Sequence, residues 1–259
     1  MSGPRNLVIL TGAGISAESG VPTFRADDGL WMGHRIEDVA TPEAFARDPA
    51  LVQDFYNRRR RQLPTVHPNA AHRAIADLAA RWRGDFMLVT QNVDDLHERA
   101  GSPAVIHLHG SLHRPRCFDC QRPFAGLDAE PQEPAAGRRL EPPRCPHCGG
   151  PVRPGVVWFG EELPEQTLQQ AFAAAGECDL LLSVGTSGVV YPAARIPQLA
   201  LESGALLVHV NPQAAAAEGA HEYWLGGAAG LVLPQLLAQA FAGDVVGIGA
   251  TEIEGEQAQ

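Results

Sequence analysis

Short apolar runs, each followed by glycine or by polar side chains, recur along the chain. They lie at residues 7–10, 86–90, 180–184 and 206–210. None alternates apolar with polar residues, which is typical of strands buried on both faces of a parallel sheet. Helical signals separate the runs, so we predict an α/β fold built on a Rossmann-type doubly wound parallel sheet.

The helical signals are capping residues before proline and apolar residues at helical spacing. Thr41 and Asp48 each precede a proline, which predicts two helix starts, the second helix running to about Gln62. Apolar spacing predicts a third helix over 69–82 and a closing helix over 231–241. The closing helix is expected to pack on the sheet.

A glycine turn follows the first apolar run. Gly12, Gly14 and Ala17 have the G-x-G-x-x-A spacing that lets backbone N–H groups approach a pyrophosphate, although a simple small-residue turn would look the same. The acidic residue that dehydrogenases carry about 20 positions further on is missing from the Trp31 neighbourhood. The template of a hydride carrier therefore fits poorly. An alternative is a dinucleotide that is consumed, with its nicotinamide end enclosed by the long loop after Val21 and its glycosidic bond broken.

Polar side chains follow the second apolar run, where ligands bind in open α/β sheets. Asn92 and Asp94 are candidates to hydrogen-bond a ribose and a carboxamide, and the alternative is that Asp94 caps the next helix. A short strand is predicted from Val105 to His109 and is ended by Gly110. A histidine pKa near 6.5 suits a general base. His109 is the first candidate for this role and His107 the second, while a structural role remains open for both.

Four of the five cysteines form two CxxC pairs, Cys117 with Cys120 and Cys145 with Cys148. This spacing predicts one structural, tetrahedral zinc site, with two disulfides as the alternative. The fifth, Cys178, is expected to be an inert buried thiol. The pairs lie in a segment rich in proline and arginine, so we predict a small zinc-binding module at 113–154, inserted into a dinucleotide-binding domain formed by 1–112 and 155–243.

Composition narrows the partners. The formal net charge is −10, which argues against nucleic acid as the main partner. No apolar run reaches the length of a membrane span and no signal-peptide pattern is present, so we expect a cytoplasmic protein without a membrane partner. Residues 244–259 are predicted to be a disordered acidic tail. The oligomeric state is not encoded in any pattern, and a monomer is the expectation.

Taken in order, the glycine turn, the Gln91-Asn92-Val93-Asp94 segment, His107-Leu108-His109-Gly110, the paired CxxC motifs and Gly185-Thr186-Ser187 resemble the sirtuins, NAD-dependent protein lysine deacylases. The resemblance implies a zinc module on an NAD domain with acyl-lysine peptide bound between them. It implies His109 as general base, and products that are nicotinamide, free lysine and O-acyl-ADP-ribose.

The resemblance also implies contact residues. For NAD they are Gly12, Ala13, Gly14, Ser16, Ala17, Phe24, Arg25, Trp31, Gln91, Asn92, Val93, Asp94, Gly185, Thr186, Ser187, Asn211, Pro212, Gln213 and Ala229. For the substrate main chain they are Val157, Trp158, Phe159 and Gly160 on one side, and Val189 and Tyr191 on the other.

One helix suggests an acyl preference. Tyr56 and Arg59 lie three residues apart, so a phenol and a guanidinium would share a helix face and grip a carboxylate. The sirtuin branch that removes succinyl and malonyl groups has such a Tyr-x-x-Arg pair and a small residue matching Ala17. The alternative is that the arginines form a solvated helix face. We expect activity on both acetyl- and succinyl-lysine, with mono-ADP-ribosyl transfer to proteins and a non-catalytic reader as rival functions.

Overall fold

A computed structural model describes residues 4–23, 30, 31, 33–126, 140–213 and 219–241. Phe24, Arg25 and the tail 244–259 lie outside the described residues. The strands are β1 (Leu7–Thr11), β2 (Leu30–Trp31), β3 (His34–Arg35), β4 (Phe86–Thr90), β5 (Val105–His107), β6 (Gly110–Cys117), β7 (Val152–Val156), β8 (Leu180–Val184), β9 (Leu206–Asn211) and β10 (Glu222–Gly226). The α-helices are α1 (Ile36–Val39), α2 (Pro42–Arg47), α3 (Pro49–Gln62), α4 (Ala70–Arg81), α5 (Leu96–Arg99), α6 (Glu165–Glu177), α7 (Arg195–Glu202) and α8 (Ala229–Ala240). Two 3-10 helices span Ala13–Ser19 and Leu63–Thr65.

Six strands form a parallel sheet in the order β10-β9-β8-β1-β4-β5. Side chains from β1 alternate between two cores: Leu7 and Ile9 pack with α4 and α8, while Val8 and Leu10 pack with α6 and α7. Both faces are therefore covered, and the predicted α/β fold is confirmed. The chain leaves β1 towards β4 and later returns to β8 on the other side. This reversal places the topological switch point, where open α/β sheets bind ligands, between β1 and β8.

The capping signals predicted two helix starts correctly. The Thr41 hydroxyl accepts a hydrogen bond from the Ala44 N–H at 3.1 Å, and the Asp48 carboxylate accepts one from the Leu51 N–H at 2.9 Å. Helices α2 and α3 begin at the prolines that follow these caps. Edge strand β10 was not predicted, because Glu222–Gly226 mixes exposed and half-buried residues rather than forming an apolar run.

The predicted strand Val105–His109 is too long. Strand β5 ends at His107, and the chain turns at Leu108 and His109. Gly110 has φ of +73°, and a Cβ there would lie 2.1 Å from the Gly155 carbonyl oxygen, so glycine is required where the chain leaves the sheet. Gly110 and Ser111 do not end a strand but begin β6, which pairs antiparallel with β7. His109 therefore lies in the corner between the sheet and this hairpin.

A third hydrophobic cluster lies apart from the two sheet cores. It joins α2 and α3 to the base of the β6–β7 hairpin through Phe45, Phe55, Tyr56 and Trp158. Their rings pack with centroid separations from 5.1 to 6.3 Å. Because Tyr56 and Trp158 face one another here, this cluster places α3 next to the segment that follows β7. Within the described residues, no helix is long and apolar enough to span a membrane.

Candidate active site

The glycine turn lies at the switch point of the sheet. The Gly14 N–H donates to the Gly185 carbonyl oxygen at 2.9 Å, which joins the loop after β1 to the loop after β8. A Cβ on Gly12 would lie 2.7 Å from the Gly185 oxygen, and one on Gly14 would lie 2.7 Å from the Gly185 Cα. Glycine is therefore required where the two loops meet, and no side chain of Gly12 or Gly14 covers the backbone of this cradle, as the approach of a phosphate-bearing ligand requires. Ala13 is half-buried, and Ala17 is exposed on the 3-10 helix that follows.

The polar residues after β4 close around Ser16. The Asn92 amide donates to the Ser16 hydroxyl at 3.2 Å, and that hydroxyl donates to Asp94 Oδ2 at 3.1 Å. Asp94 Oδ1 accepts the Leu96 N–H at 3.2 Å, a turn hydrogen bond that leads into α5, although the N-cap residue of that helix is Asp95. Burial raises the pKa of Asp94, although its hydrogen bonds to Leu96 and Ser16 oppose the shift. The sequence-predicted Ser16, Asn92 and Asp94 thus form one buried cluster.

Two buried histidines lie beneath this cluster, and no sequence pattern predicted them. His72 Nε2 lies 3.5 Å from the Ser16 hydroxyl, and His97 Nε2 lies 3.0 Å from the Thr11 hydroxyl. Their rings meet edge to face at 4.9 Å. Burial lowers the pKa of His72 to about 4 and that of His97 to about 3, so both rings are neutral at pH 7. They support the floor of the site as uncharged side chains.

His109 has the arrangement of a base. Its Nδ1 lies 2.9 Å from the Gln91 carbonyl oxygen, which can only accept, so Nδ1 carries the proton and Nε2 is left with the lone pair. Burial lowers the His109 pKa, and the Gln91 hydrogen bond opposes this in part. Gln91 is itself fixed because its N–H donates to the Thr11 carbonyl oxygen at 2.9 Å. Val93 accepts the Leu112 N–H at 3.0 Å, which ties this loop to the hairpin.

The residues expected on the adenosine side follow β8 and β9. Asn211 donates from its amide to the Thr186 carbonyl oxygen at 2.8 Å, and the Thr186 and Ser183 hydroxyls are 2.9 Å apart. Ser187, Pro212 and Gln213 are exposed at the same edge. The Ala229 side chain is buried in the core with Leu233. Trp31 lies in β2.

Tyr56 and Arg59 lie side by side on α3 but in different surroundings. Tyr56 is buried, its hydroxyl accepts the Trp158 Nε1–H at 2.9 Å, and burial raises its pKa to about 12. Arg59 is half-buried; burial lowers its pKa to about 10, and the nearby Tyr56 and Asp94 oppose that shift. The alternative of a solvated arginine face holds for Arg58, which is exposed and pairs with Asp54 at 2.9 Å. It does not hold for Arg60, which is buried.

A buried cation supports Trp158. The Arg153 guanidinium lies over the Trp158 ring at 3.3 Å and forms a bidentate ion pair with Glu161. The Glu161 carboxylate also accepts the Trp158 N–H at 2.8 Å. Sequence reasoning missed Arg153 and Glu161, because an arginine within a basic, proline-rich segment gives no signal that it is buried.

The segment expected to pair with a substrate main chain already uses its own donors. The N–H groups of Val157 and Phe159 donate to the carbonyl oxygens of His109 at 2.8 Å and Ala40 at 3.0 Å. A peptide bound here would therefore have to donate to carbonyl oxygens of this segment or accept from Gly160. On the facing side Val189 and Tyr191 are 68% and 66% exposed, which is unusual for large apolar residues and leaves them open to a ligand.

The four cysteines of the CxxC pairs come together at the end of the hairpin. All four sulfurs lie within 4.8 Å of one another. Neighbouring sulfurs are 3.4 Å apart for Cys117 and Cys148 and 3.8 Å apart for Cys120 and Cys145. A tetrahedral Zn–S₄ site with bonds of about 2.3 Å needs sulfurs about 3.8 Å apart, so the donor set fits zinc. All five cysteines are free, which rules out the disulfide alternative here, and Cys178 is buried as expected.

Comparison with known proteins agrees with this site. Residues 12–192 match the model of the Sir2 family. The chain is 62% identical over 244 residues to NAD-dependent protein deacylase 1 of Pseudomonas aeruginosa, covering 94% of this chain and 97% of that protein. It is 53% identical over 234 residues to an NAD-dependent protein deacylase of Methylococcus capsulatus, covering 90% of this chain and 91% of that protein.

Solved structures give the same result. A Sir2 homologue in complex with NAD superposes with a TM-score of 0.81 at 44% identity, covering 91% of this chain and 89% of that one. A Sir2 structure with a p53 peptide and NAD superposes with a TM-score of 0.74 at 28% identity, covering 93% of this chain and 95% of that one. The chain therefore belongs to the Sir2 family, as the order of its motifs predicted.

Proposed function

We propose that this chain is an NAD-dependent protein lysine deacylase that removes acetyl, succinyl and malonyl groups. The activity named for its relatives supports deacylation rather than mono-ADP-ribosyl transfer. Acylated proteins or peptides are the proposed substrates, consistent with the peptide in the related structure. NAD would lie with its phosphates on the glycine turn and its nicotinamide end towards Asn92 and Asp94.

One observation carries the proposal: His109 is held as a neutral base at the edge of a dinucleotide cradle. NAD supplies a nicotinamide–ribose bond, and its cleavage lets the acyl oxygen bond to the ribose. The Gln91 carbonyl fixes the His109 ring so that Nε2 can take a proton from a ribose hydroxyl. The burial that lowers the His109 pKa keeps this nitrogen unprotonated at neutral pH. Ser16 and Asn92 orient one another beneath the bound sugar.

The test is nicotinamide release from NAD in the presence of acetyl- or succinyl-lysine peptide. We expect release with both peptides, and we expect the His109→Ala variant to lose turnover but still bind peptide. His67→Ala, which replaces an exposed histidine, is the matched control. No release from either peptide by zinc-loaded protein would contradict the proposed activity. Stable transfer of labelled ADP-ribose to a protein, without O-acyl-ADP-ribose, would favour the rival function.

The proposal for larger acyl groups rests on hydrogen-bond directions at Tyr56. Because the Trp158 Nε1–H donates to the Tyr56 oxygen, the proton of the Tyr56 hydroxyl is left to be donated to a ligand. The Tyr56 pKa, raised by burial to about 12, keeps that proton in place at neutral pH. Arg59, whose pKa of about 10 keeps it charged at pH 7, adds a cation beside it. A carboxylate at the end of a succinyl group matches this donor pair.

Acyl preference is measured as kcat/KM for acetyl-, malonyl- and succinyl-lysine versions of one peptide. We expect Arg59→Met to lower kcat/KM for succinyl-lysine by about 10- to 100-fold, the loss expected for a hydrogen bond to a charged group. Deacetylation should be nearly unchanged. Arg58→Met is the matched control, because Arg58 is on the same helix but exposed. An equal fall for acetyl and succinyl substrates would show that Arg59 does not read the carboxylate.

A further inference from the structure

His107, the first histidine of the His107-Leu108-His109 motif, bridges two elements beside the proposed active site. Its Nδ1 lies 2.9 Å from the Asn92 carbonyl oxygen, and its Nε2 lies 2.7 Å from Glu98 Oε1. The first contact reaches the loop after β4, and the second reaches α5. The His107 side chain is 10% exposed and that of Glu98 is 44% exposed, so the Asn92 contact is partly buried whereas the Glu98 contact lies at the surface.

The chemistry of the two partners fixes the charge of the His107 ring. A carbonyl oxygen and a carboxylate oxygen both accept hydrogen bonds, so each His107 nitrogen must donate, and a ring that donates twice is an imidazolium. His109 differs, because only its Nδ1 meets an acceptor that requires a proton. At the same edge of the sheet, His107 is therefore positively charged and His109 is neutral. His107 cannot serve as the base while it donates from both nitrogens, which separates the two candidates that sequence left open.

Asn92, whose carbonyl oxygen His107 contacts, is held by two further hydrogen bonds. The Asn92 N–H donates to the Thr90 hydroxyl at 3.1 Å, and its side-chain amide donates to Ser16 at 3.2 Å. His107 adds the bond to the Asn92 carbonyl and so fixes the peptide plane that leads to Asp94. We propose that His107 is a positioning residue, a cationic clamp between Asn92 and Glu98 that holds the Asn92–Asp94 loop in the geometry that binds NAD. This inference rests on the proposed function of that loop.

The charges around His107 favour the clamp. Burial alone would lower the His107 pKa, but the hydrogen bonds to Glu98 and Asn92 and the charges of Glu98 and Asp94 outweigh it and raise the pKa. Partial burial would raise the Glu98 pKa, but its hydrogen bond to His107, a backbone hydrogen bond and the charge of His107 together outweigh burial and lower it. His97 on α5 is neutral, and its own pKa is lowered in part by the charge of His107. From β6, the cationic side chain of Arg114 lines a cavity of about 300 Å³ together with His107.

The clamp should operate below the raised pKa of His107 and fail as the pH rises through it. His109 works in the opposite sense, because it is a base only above its lowered pKa. The two histidines together therefore predict a bell-shaped dependence of kcat/KM for NAD on pH, with His109 on the acid side and His107 on the alkaline side.

The decisive variant is Glu98→Gln. Glutamine keeps an acceptor oxygen for the His107 Nε2–H but removes the charge, so the alkaline limb should move to lower pH while the maximum is retained. Glu202→Gln, in the exposed pair with Arg195, is the matched control and should leave the profile unchanged. His107→Gln should remove the alkaline limb and raise KM for NAD by about tenfold, the loss of one charge-assisted hydrogen bond, with a smaller effect on kcat.

Titration of the histidine rings by NMR gives a readout that does not depend on activity. We expect His107 to titrate above the ordinary value of about 6.5 and to do so at lower pH in Glu98→Gln. A His107 pKa at or below that value, or an alkaline limb that Glu98→Gln leaves in place, would overturn the inference. If the protein releases no nicotinamide at all, the proposed function fails instead, whereas the NMR titration still reports on the clamp.

Discussion

Lowering the pH should destabilise this protein through the two histidines buried beneath the NAD cradle. The Thr11 hydroxyl donates its proton to Thr90 at 2.8 Å, so it accepts from His97 Nε2–H, and His97 Nδ1 is buried without a hydrogen-bond partner within the described residues. His72 accepts the Asn69 N–H at Nδ1, at 3.3 Å. Both rings are thus neutral. A second proton, on His97 Nδ1 or on His72 Nδ1, would place a positive charge in a buried position.

The size of the effect follows from proton linkage. Unfolded histidines titrate near 6.5, whereas burial lowers the pKa of His72 to about 4 and that of His97 to about 3. Between these values and 6.5 the unfolded chain binds more protons, so stability is full above pH 6.5 and is lost as the pH falls. Lowering the pH from 7 to 5 should therefore reduce the free energy of unfolding by roughly 2 kcal/mol for each histidine and by roughly 4 kcal/mol for the pair. The raised pKa of His107 acts in the opposite direction.

The assay is urea unfolding at pH 7 and pH 5, followed by tryptophan fluorescence. We compare wild type with His97→Gln, because other titrating groups, including His107, contribute equally to both and cancel in the difference. The His97→Gln variant is expected to be less stable than wild type at pH 7. Between pH 7 and pH 5, however, its free energy of unfolding should fall by roughly 2 kcal/mol less than that of wild type. His67→Gln, at an exposed site, should behave as wild type. If His97→Gln loses as much stability as wild type between the two pH values, the buried neutral state of His97 is refuted.

Three further predictions concern the metal, the acyl pocket and the cradle. Removing zinc with a chelator should abolish nicotinamide release, because the β6–β7 hairpin that begins beside His109 loses its anchor; metal-free protein that keeps its activity would contradict this. Trp158→Phe removes the donor to Tyr56 and should lower kcat/KM for succinyl-lysine by about two- to tenfold, the worth of one neutral hydrogen bond, and an equal fall for acetyl-lysine would count against that reading. Gly185→Ala puts a Cβ 2.4 Å from the Ile15 nitrogen at a φ of +62°, so Tm and NAD affinity by calorimetry should both fall, whereas a variant that retains both would show that the cradle can yield.

Local signals in the sequence predicted local structure well. The buried strands β1, β4 and β8 could be read from unbroken apolar runs, and the starts of α2 and α3 from Thr41 and Asp48, because a cap and the proline after it act over three or four residues. The strand through His109 was predicted too long because that prediction also used only a local pattern. Alternation continues past His107, whereas the turn is imposed by the close approach of Gly110 to Gly155, which is 45 positions away in sequence.

Contacts between distant segments could not be predicted. Trp158 donates a hydrogen bond to Tyr56, which is 102 positions away in sequence. Arg153 lies against the Trp158 ring, although its neighbours in sequence give no indication that it is buried. Glu18, which accepts the Gly230 N–H at the start of α8 at 2.6 Å, is likewise invisible in any spacing. The order of the motifs could nevertheless predict the family, because the candidate site residues follow the ends of the parallel strands, one motif after another along the chain.

The hydrophobic cluster that joins α2 and α3 to the base of the hairpin has a consequence for protein engineering. Tyr56 and Trp158 belong to this cluster, which also contains Leu96 and packs against Val93, the neighbours of the Asp94 loop. The glycine cradle, in contrast, lies where the loops after β1 and β8 meet. Substitutions that repack Tyr56 and Trp158 should therefore change acyl selectivity and preserve NAD affinity only when they leave the contacts of Val93 and Leu96 in place.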